Sequence, residues 1–445
     1  MKVGIISLGC PKNLVDSEIM MGMLLEDGHE IVDPDEADVV VVNTCAFIRA
    51  AEEEAEEVIS EILDDKGERK LIVAGCLAQR YGKSLFNRFP GVDALVGTGE
   101  FQKIAYVARS LRESGSKLAF VGRPEYLYDH LTPRCLGTPP HYAYIKIAEG
   151  CSNTCSFCMI PRLRGRYRSR EFNSISAEAT ALAEAGVKEL VLVSQDTTRY
   201  GLDLYGLSKL SDLLSELAEI DGLRWIRFLY SYPSRVDERL LEVIAENDRI
   251  CKYLDIPIQH VHDDILSRMR REENGEGIRK VIEMARRLIP DVTLRSTVIV
   301  GFPGEEEHHF KSLLQFLEEI EFDHLGVFTF SPEEGTPAAR MEGQIPEEVK
   351  VERFNRVVEL QTEIAIRRRK RLIGRKVEVL LEGFDPERNV ALGRAEFQAP
   401  EIDDFVFVKG IRRERAEELM GNLIKVRIEE VCSYDLIAEV EGGDI

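Results

Sequence analysis

The chain has 445 residues, 44% hydrophobic and 31% charged, with 58 Lys/Arg against 79 Asp/Glu and a formal net charge of −21. That length admits about three domains with buried cores, and the negative balance excludes a global field that would gather nucleic acid. No apolar run reaches the length of a membrane span, and Met1-Lys2 leads into a short strand-like run instead of a signal peptide, so a cytoplasmic protein without membrane contact is expected.

Residues 1–115 alternate short Val/Ile/Leu-rich runs with helical patterns. Lys2–Leu8, Asp38–Asn43, Lys70–Ala74 and Asp93–Val96 are runs of the kind buried in parallel sheets. Helical stretches, Val15–Glu26 and Arg49–Asp65, lie between them, and this rhythm predicts an open parallel α/β sheet. Residues 116–139, with Arg123-Pro124 and Thr138-Pro139-Pro140, read as a linker. From 140 to 366 strand candidates recur at Tyr142–Ala148, Glu189–Ser194, Arg224–Tyr230, Tyr253–Ile258, Thr293–Val300 and His324–Phe330. Helices such as Ser176–Ala185 and Leu207–Ile220 separate them. Six such repeats predict a partial (β/α)6 barrel with its chemistry at the carboxyl ends of the strands. Residues 370–441 carry short strands, Lys376–Leu381, Val390–Arg394, Asp404–Val408 and Leu423–Val431, and predict a small all-β barrel.

The chain has nine cysteines, which in a reducing compartment are expected to be metal ligands, catalysts or buried small apolar residues in preference to disulfides. Cys151, Cys155 and Cys158 form a CxxxCxxC triplet directly after a predicted strand. Three close thiolates suit three irons of a 4Fe–4S cluster and leave the fourth iron open. Zinc would require a fourth Cys or His nearby, and the next histidine is His260; unligated core thiols are the other alternative. Cys10, Cys45 and Cys76 each stand at the end of a predicted strand. In a parallel sheet those ends share the edge where ligands bind, so the three either converge on a metal or merely end buried strands. Cys135, Cys251 and Cys432 fit neither set and are expected to be buried small residues.

The CxxxCxxC triplet, with Phe157 before its last cysteine, resembles the radical S-adenosylmethionine (SAM) superfamily. With the second triplet the resemblance sharpens to the methylthiotransferases and spans the whole chain: an N-terminal three-cysteine domain, a radical SAM core and a C-terminal TRAM domain. Gly9-Cys10-Pro11-Lys12-Asn13 resembles the branch that modifies small-subunit ribosomal protein number twelve, as do Ser194-Gln195-Asp196 and Ile160-Pro161-Arg162-Leu163-Arg164-Gly165. The resemblance implies two 4Fe–4S clusters and SAM as cofactors, and addition of a methylthio group to the β-carbon of an aspartate. One SAM would methylate sulfur at the first cluster, and a second, cleaved at the other, would yield the radical that takes the hydrogen. It also implies a low-potential electron donor such as flavodoxin or ferredoxin. A tRNA adenosine methylthiotransferase of the same family is the nearest rival; a non-catalytic iron–sulfur carrier or an RNA-binding module is the rival of another class.

Toward SAM, the resemblance assigns Gln195 to the ammonium, Phe157 to the adenine, Gly301 in Gly301-Phe302-Pro303-Gly304 to the pocket wall and Arg295 to the carboxylate. Gln259 and His260 are candidates for the substrate cavity. The alternating Arg162, Arg164, Arg166, Arg168 and Arg170 either pair with surplus carboxylates or hold an anionic substrate. The basic run Arg367–Arg371 either meets RNA or is a solvated helix face. From Gly374 onward ten Lys/Arg face seventeen Asp/Glu, 10 − 17 = −7, a balance suited to a basic protein partner and unlike a tRNA-binding surface.

Overall fold

The computed structural model describes residues 1–114, 116–432 and 434–440; the expected boundaries at Gly115 and Glu441 lie outside the described residues. Strands β1 (Lys2–Ser7), β2 (Glu30–Ile31), β3 (Val39–Thr44), β4 (Lys70–Gly75), β5 (Ala94–Val96) and β6 (Leu118–Phe120) form one parallel sheet in the order β2-β1-β3-β4-β5-β6. Its central strands are wholly buried runs, Val39–Thr44 among them, because helices cover both faces. The direction of winding reverses between β1 and β3, the crevice where open α/β sheets bind ligands. Strands β2 and β6 escaped the sequence reading: one is two residues long, the other lies in the stretch expected to be linker.

Helix α1 (Pro11–Glu26) starts four residues before its predicted position, with Pro11 in the first turn. It buries Lys12, Asn13, Asp16, Ser17 and Glu18, which a one-sided surface helix would expose. The reason is that α1 lies between two bodies, with contacts to β1 on one side and to the first strand of the central unit on the other.

That unit contains β7 (Tyr142–Lys146), the short antiparallel pair β8 (Ala148–Glu149) and β9 (Arg168–Ser169), β10 (Glu189–Val193), β11 (Trp225–Phe228), β12 (Tyr253–Asp255), β13 (Thr293–Val300) and β14 (His324–Thr329). β7, β10 and β11 form one parallel sheet and β12, β13 and β14 another, linked by a parallel bridge between Ile226 and Ile250. The two make an open arc of six strands, the partial barrel expected from the repeats.

β15 (Lys376–Asp385), β16 (Val390–Ala395), β17 (Val406–Lys409), β18 (Leu423–Cys432) and β19 (Asp435–Val440) close into a small barrel. A short helix, Arg413–Leu419, interrupts what the sequence reading took as all-β. This small barrel abuts the amino-terminal ends of the central strands. Arg394 pairs with Glu189 at 2.7 Å, Tyr142 and Tyr144 donate to Glu401 at 3.0 and 3.3 Å, and Tyr253 donates to Asp403 at 2.7 Å.

The run Arg367–Arg371 is in large part a solvated helix face, with Arg367, Lys370 and Arg371 exposed, and its arginines are paired within the chain. Arg367 and Arg371 pair with Glu321, Arg368 with Asp323, and the buried Arg369 with Asp404. Of the three unassigned cysteines only Cys251 is fully buried; Cys135 is half-buried, and Cys432, the last residue of β18, is exposed. Among the described residues no helix is long and apolar enough to cross a membrane.

Candidate functional site

Cys10 caps α1 just beyond β1, Cys45 follows β3, and Cys76 opens the helix α2 (Cys76–Tyr81) directly after β4. All three stand at one sheet edge, two of them at a helix start, where the helix dipole and free N–H groups favour a thiolate. Gly9 and Gly75 adopt φ +89° and +88°. A side chain on Gly9 would come within 2.5 Å of the Cys45 Cβ, so the close approach of β1 to Cys45 requires glycine. Burial opposes ionisation of Cys10, yet Lys12, Arg164 and two backbone N–H groups outweigh it and hold its thiol below the ordinary value. Burial pushes Cys76 up to about 12.

Cys151, Cys155 and Cys158 occupy the loop between β8 and the short helix Ile160–Leu163, at the carboxyl mouth of the central arc. Backbone N–H groups of Asn153 and Ile160 donate to the sulfurs of Cys151 and Cys158 at 3.4 Å each, and Arg271 donates to Cys155 at 3.9 Å. Burial raises all three thiols, Cys151 to about 11. In neither triplet do the sulfurs all lie within 4.8 Å of one another. Zinc, at about 2.3 Å from each sulfur, would draw them to about 3.8 Å apart. The donor sets, soft sulfur supported by N–H groups and cations, fit a larger anionic group such as an iron–sulfur cluster.

Among the described residues only His262, His308 and His309 are close enough for a single ion. Yet His262 Nδ1 accepts the Asp264 N–H and His309 Nδ1 accepts the Glu306 N–H. In neutral rings this leaves the proton on Nε2, the tautomer that cannot ligate through that atom.

A buried ionic group ties together the segments that carry the two triplets. Asp16 of α1 and Glu149 of β8 share Lys146 of β7 and Arg164; Arg164 lies 2.9 Å from Asp16 and 3.2 Å from Glu149, and Asn13 accepts from it at 3.1 Å. Two cations balance two carboxylates. Burial disfavours the charge on Glu149, but Lys146 and Arg164 outweigh it and hold the carboxyl well below its usual range. Sequence reading missed Asp16, Lys146 and Glu149. The signal was present: a Lys and a Glu inside Tyr142–Glu149, an otherwise apolar buried strand.

The expected SAM contacts divide. Phe157 packs edge-on against Phe302 at 6.4 Å, joining the cysteine loop to the Gly301–Gly304 turn. Gln195 stands two residues beyond β10, half-buried, and its amide has no hydrogen-bond partner among the described residues. Gly301 has φ +71° and the Lys350 side chain behind it, and the Glu305 carboxylate accepts the N–H groups of Gly301 and Phe302. Arg295 lies elsewhere. It is the third residue of β13, five short of the strand's carboxyl end, and pairs with Asp255 at 3.2 Å and Asp403 at 3.7 Å, toward the small barrel. Asp196 is tied to Asn153 and Arg235. His260 is fully buried, with Nε2 unpartnered and Glu305 3.7 Å away, while Gln259 is half-buried at φ +66°. The arginine run splits: Arg164 and Arg170 are buried in ion pairs, Arg168 bonds carbonyls, and Arg162 and Arg166 are exposed.

Three family descriptions match in succession: "Uncharacterized protein family UPF0004" over residues 2–97, the radical SAM superfamily over 145–317 and the TRAM domain over 373–440. A protein of Trichlorobacter lovleyi described as "Ribosomal protein uS12 methylthiotransferase RimO" is 45% identical over 444 residues, covering 99% of this chain and 98% of that one. One of the same description from Clostridioides difficile is 46% identical over 99% of both chains. Among solved structures, the radical SAM methyltransferase TsrM of Kitasatospora setae superposes with a TM-score of 0.57 at 16% identity, over 76% of this chain and 74% of that one. The cobalamin-dependent radical SAM enzyme OxsB gives 0.51 at 13%, over 81% and 56%; both share the fold. The chain belongs to the radical SAM family and, within it, to the ribosomal protein uS12 methylthiotransferases.

Proposed function

We propose that the chain adds a methylthio group to the β-carbon of an aspartate in ribosomal protein uS12. One cluster would be held by Cys10, Cys45 and Cys76 and a second by Cys151, Cys155 and Cys158. The observation that carries this reading is the pairing of two cysteine triplets, one on a sheet edge and one at a barrel mouth, joined by the group Asp16–Lys146–Glu149–Arg164. When bound, the clusters and SAM supply the radical and sulfur chemistry that no side chain can, since an unactivated C–H bond lies beyond any protein base.

The chain's own residues bind, orient and exclude water. The Gln195 amide, unpartnered two residues beyond β10, offers its carbonyl to the SAM ammonium. Phe157 and Phe302 form an apolar wall, and the Gly301–Gly304 turn is fixed from behind by Glu305, itself held by Arg353 at 2.7 Å. Arg295 is left out of this set, because Asp255 and Asp403 already take its charge. The ion pairs of Arg367, Arg368, Arg369 and Arg371 within the chain favour a protein substrate over RNA. A flavodoxin- or ferredoxin-class donor in the cytoplasm completes the reading. The deciding experiment is mass spectrometry of uS12 and of tRNA from cells with and without this gene. The methylthio mass must vanish from the uS12 aspartate and leave tRNA unchanged; the reverse pattern would establish the tRNA enzyme.

A further inference from the structure

The cations around the two cysteine sets are nearly all balanced. Arg164 and Lys146 share Asp16 and Glu149, Arg271 pairs with Glu273, and Arg235 with Asp196. Lys12 differs. It is 5% exposed, and among the described residues its side chain has neither a carboxylate partner nor a hydrogen bond; its ammonium rests 3.4 Å from the centre of the Tyr230 ring, and its charge acts on the neighbouring Cys10 thiol. A buried ammonium has three donors to satisfy, and one aromatic face satisfies none of them by hydrogen bonding.

Beside it stands Cys10, whose thiol its charge holds down, and two further features bear on how the ammonium is placed. Lys12 lies in the first turn of α1, the end of a helix where the dipole disfavours positive charge. Tyr230, just past β11, is held at φ +67°, a strained backbone for an aromatic residue. Its N–H donates to Asp255 at 2.9 Å and its carbonyl accepts the Thr197 N–H at 3.0 Å, so neighbouring strands keep the ring under the ammonium. Burial and the helix dipole both oppose a cation at this position, and among the described residues no carboxylate pairs with it.

We infer that Lys12, seated on Tyr230, is a carboxylate-binding subsite that takes the side chain of the acceptor aspartate. The inference rests on the proposed reading of the substrate. The carboxylate of an aspartate is one bond from its β-carbon, so an ammonium fixed beside Cys10 directs that carbon toward the space between the two cysteine sets. It also discriminates against uncharged acceptors, because asparagine would leave the ammonium desolvated and unpaired. Lys12 thereby binds substrate, whereas Arg164, already neutralised, organises the protein.

The test is a double-mutant cycle on the anaerobically reconstituted enzyme. Isolated uS12, carrying either the acceptor aspartate or asparagine in its place, is titrated against the wild type, Lys12→Met, which keeps length without charge, and Lys12→Arg. Iron content equal to wild type identifies loaded, folded variants. The wild type should lose at least about tenfold in affinity on the aspartate-to-asparagine change. Lys12→Met should bind both forms at the same weakened level, and Lys12→Arg should retain part of the preference. Equal affinity of the wild type for both forms overturns the inference without any enzyme variant. So does a Lys12→Met enzyme that keeps full discrimination, or one altered only in cluster reduction potential, which would assign Lys12 to the neighbouring cluster. A wild type that neither binds nor modifies uS12 instead removes the proposed function itself, and this subsite with it.

Discussion

The two cysteine sites are built in opposite ways. Cys151, Cys155 and Cys158 share one loop, and their sulfurs are supported locally, by N–H groups two residues away and by Arg271. Cys10, Cys45 and Cys76 meet only because three parallel strands end at one edge, and their electrostatic support comes from Lys12 on α1 and from Arg164, which belongs to the other unit. The first site depends on a loop; the second depends on the fold and on the docking of its neighbour.

The largest effects should come from removing either set. Replacing Cys151, Cys155 and Cys158 by Ala should halve an iron content of about eight and abolish SAM cleavage. Replacing Cys10, Cys45 and Cys76 should also remove about four irons, but leave formation of 5′-deoxyadenosine intact while methylthio transfer stops. Iron analysis and product chromatography check both; equal behaviour of the two triple variants would end the comparison.

Asp16→Asn is next. It leaves Lys146 and Arg164 with a single carboxylate between them, and breaking a buried pair costs about 3 kcal/mol or more. Chemical denaturation should show that loss, and iron should leave the distributed site before the loop site.

Gly9→Ala should act on one site only. Its φ of +89° and the 2.5 Å approach to Cys45 predict loss of the N-terminal cluster with the loop cluster retained. Gly28→Ala is the control: at φ +81° with open space around it, it should cost only about 1 kcal/mol of backbone strain and no iron.

The effect that is smallest near neutral pH concerns the loop side. Burial, then His262, His309 and Arg353, push His260 down to about 3. Because its folded value lies below an ordinary value of about 6.5, the unfolded chain binds the proton first. The stability contribution is therefore complete above about pH 6.5 and falls by about 1.4 kcal/mol per unit as pH drops toward 3. His260→Gln should flatten that limb of the stability–pH curve, read as the difference between wild type and variant.

The loop site was legible from spacing alone, since local chain geometry fixes it. The distributed site was legible only after the strands had been placed, because Cys10, Cys45 and Cys76 are joined by topology and not by spacing. Arg295 misled for a related reason. Its residue type suits a carboxylate, but its position in β13, five residues before the strand's end, directs it to Asp255 and Asp403. The ionic group around Arg164 was hidden because each member is ordinary in its own segment and becomes unusual only when α1 is buried between two units. The basic run Arg367–Arg371 misled the other way: its partners Glu321, Asp323 and Asp404 are distant in sequence, so the run looked unpaired.

The small C-terminal barrel carries a consequence for how the protein can be divided. Glu401 and Asp403 reach the feet of the central strands, and Arg394 completes a buried chain through Glu189 to Arg227. Cutting the chain before β15 would leave Glu189 and Arg227 at an open floor, together with three tyrosines deprived of their acceptors. What looks like a detachable module is thus the bung of the vessel. An expression fragment ending near residue 370 should be recovered as aggregate, while the β15–β19 segment, with its own apolar centre, has the better prospect of standing alone. Part of the tail's acidity is likewise engaged within the chain: Glu382, Asp403 and Asp404 are paired with cations and the exposed Glu401 accepts from Tyr142, so the outward field is weaker than the composition implies.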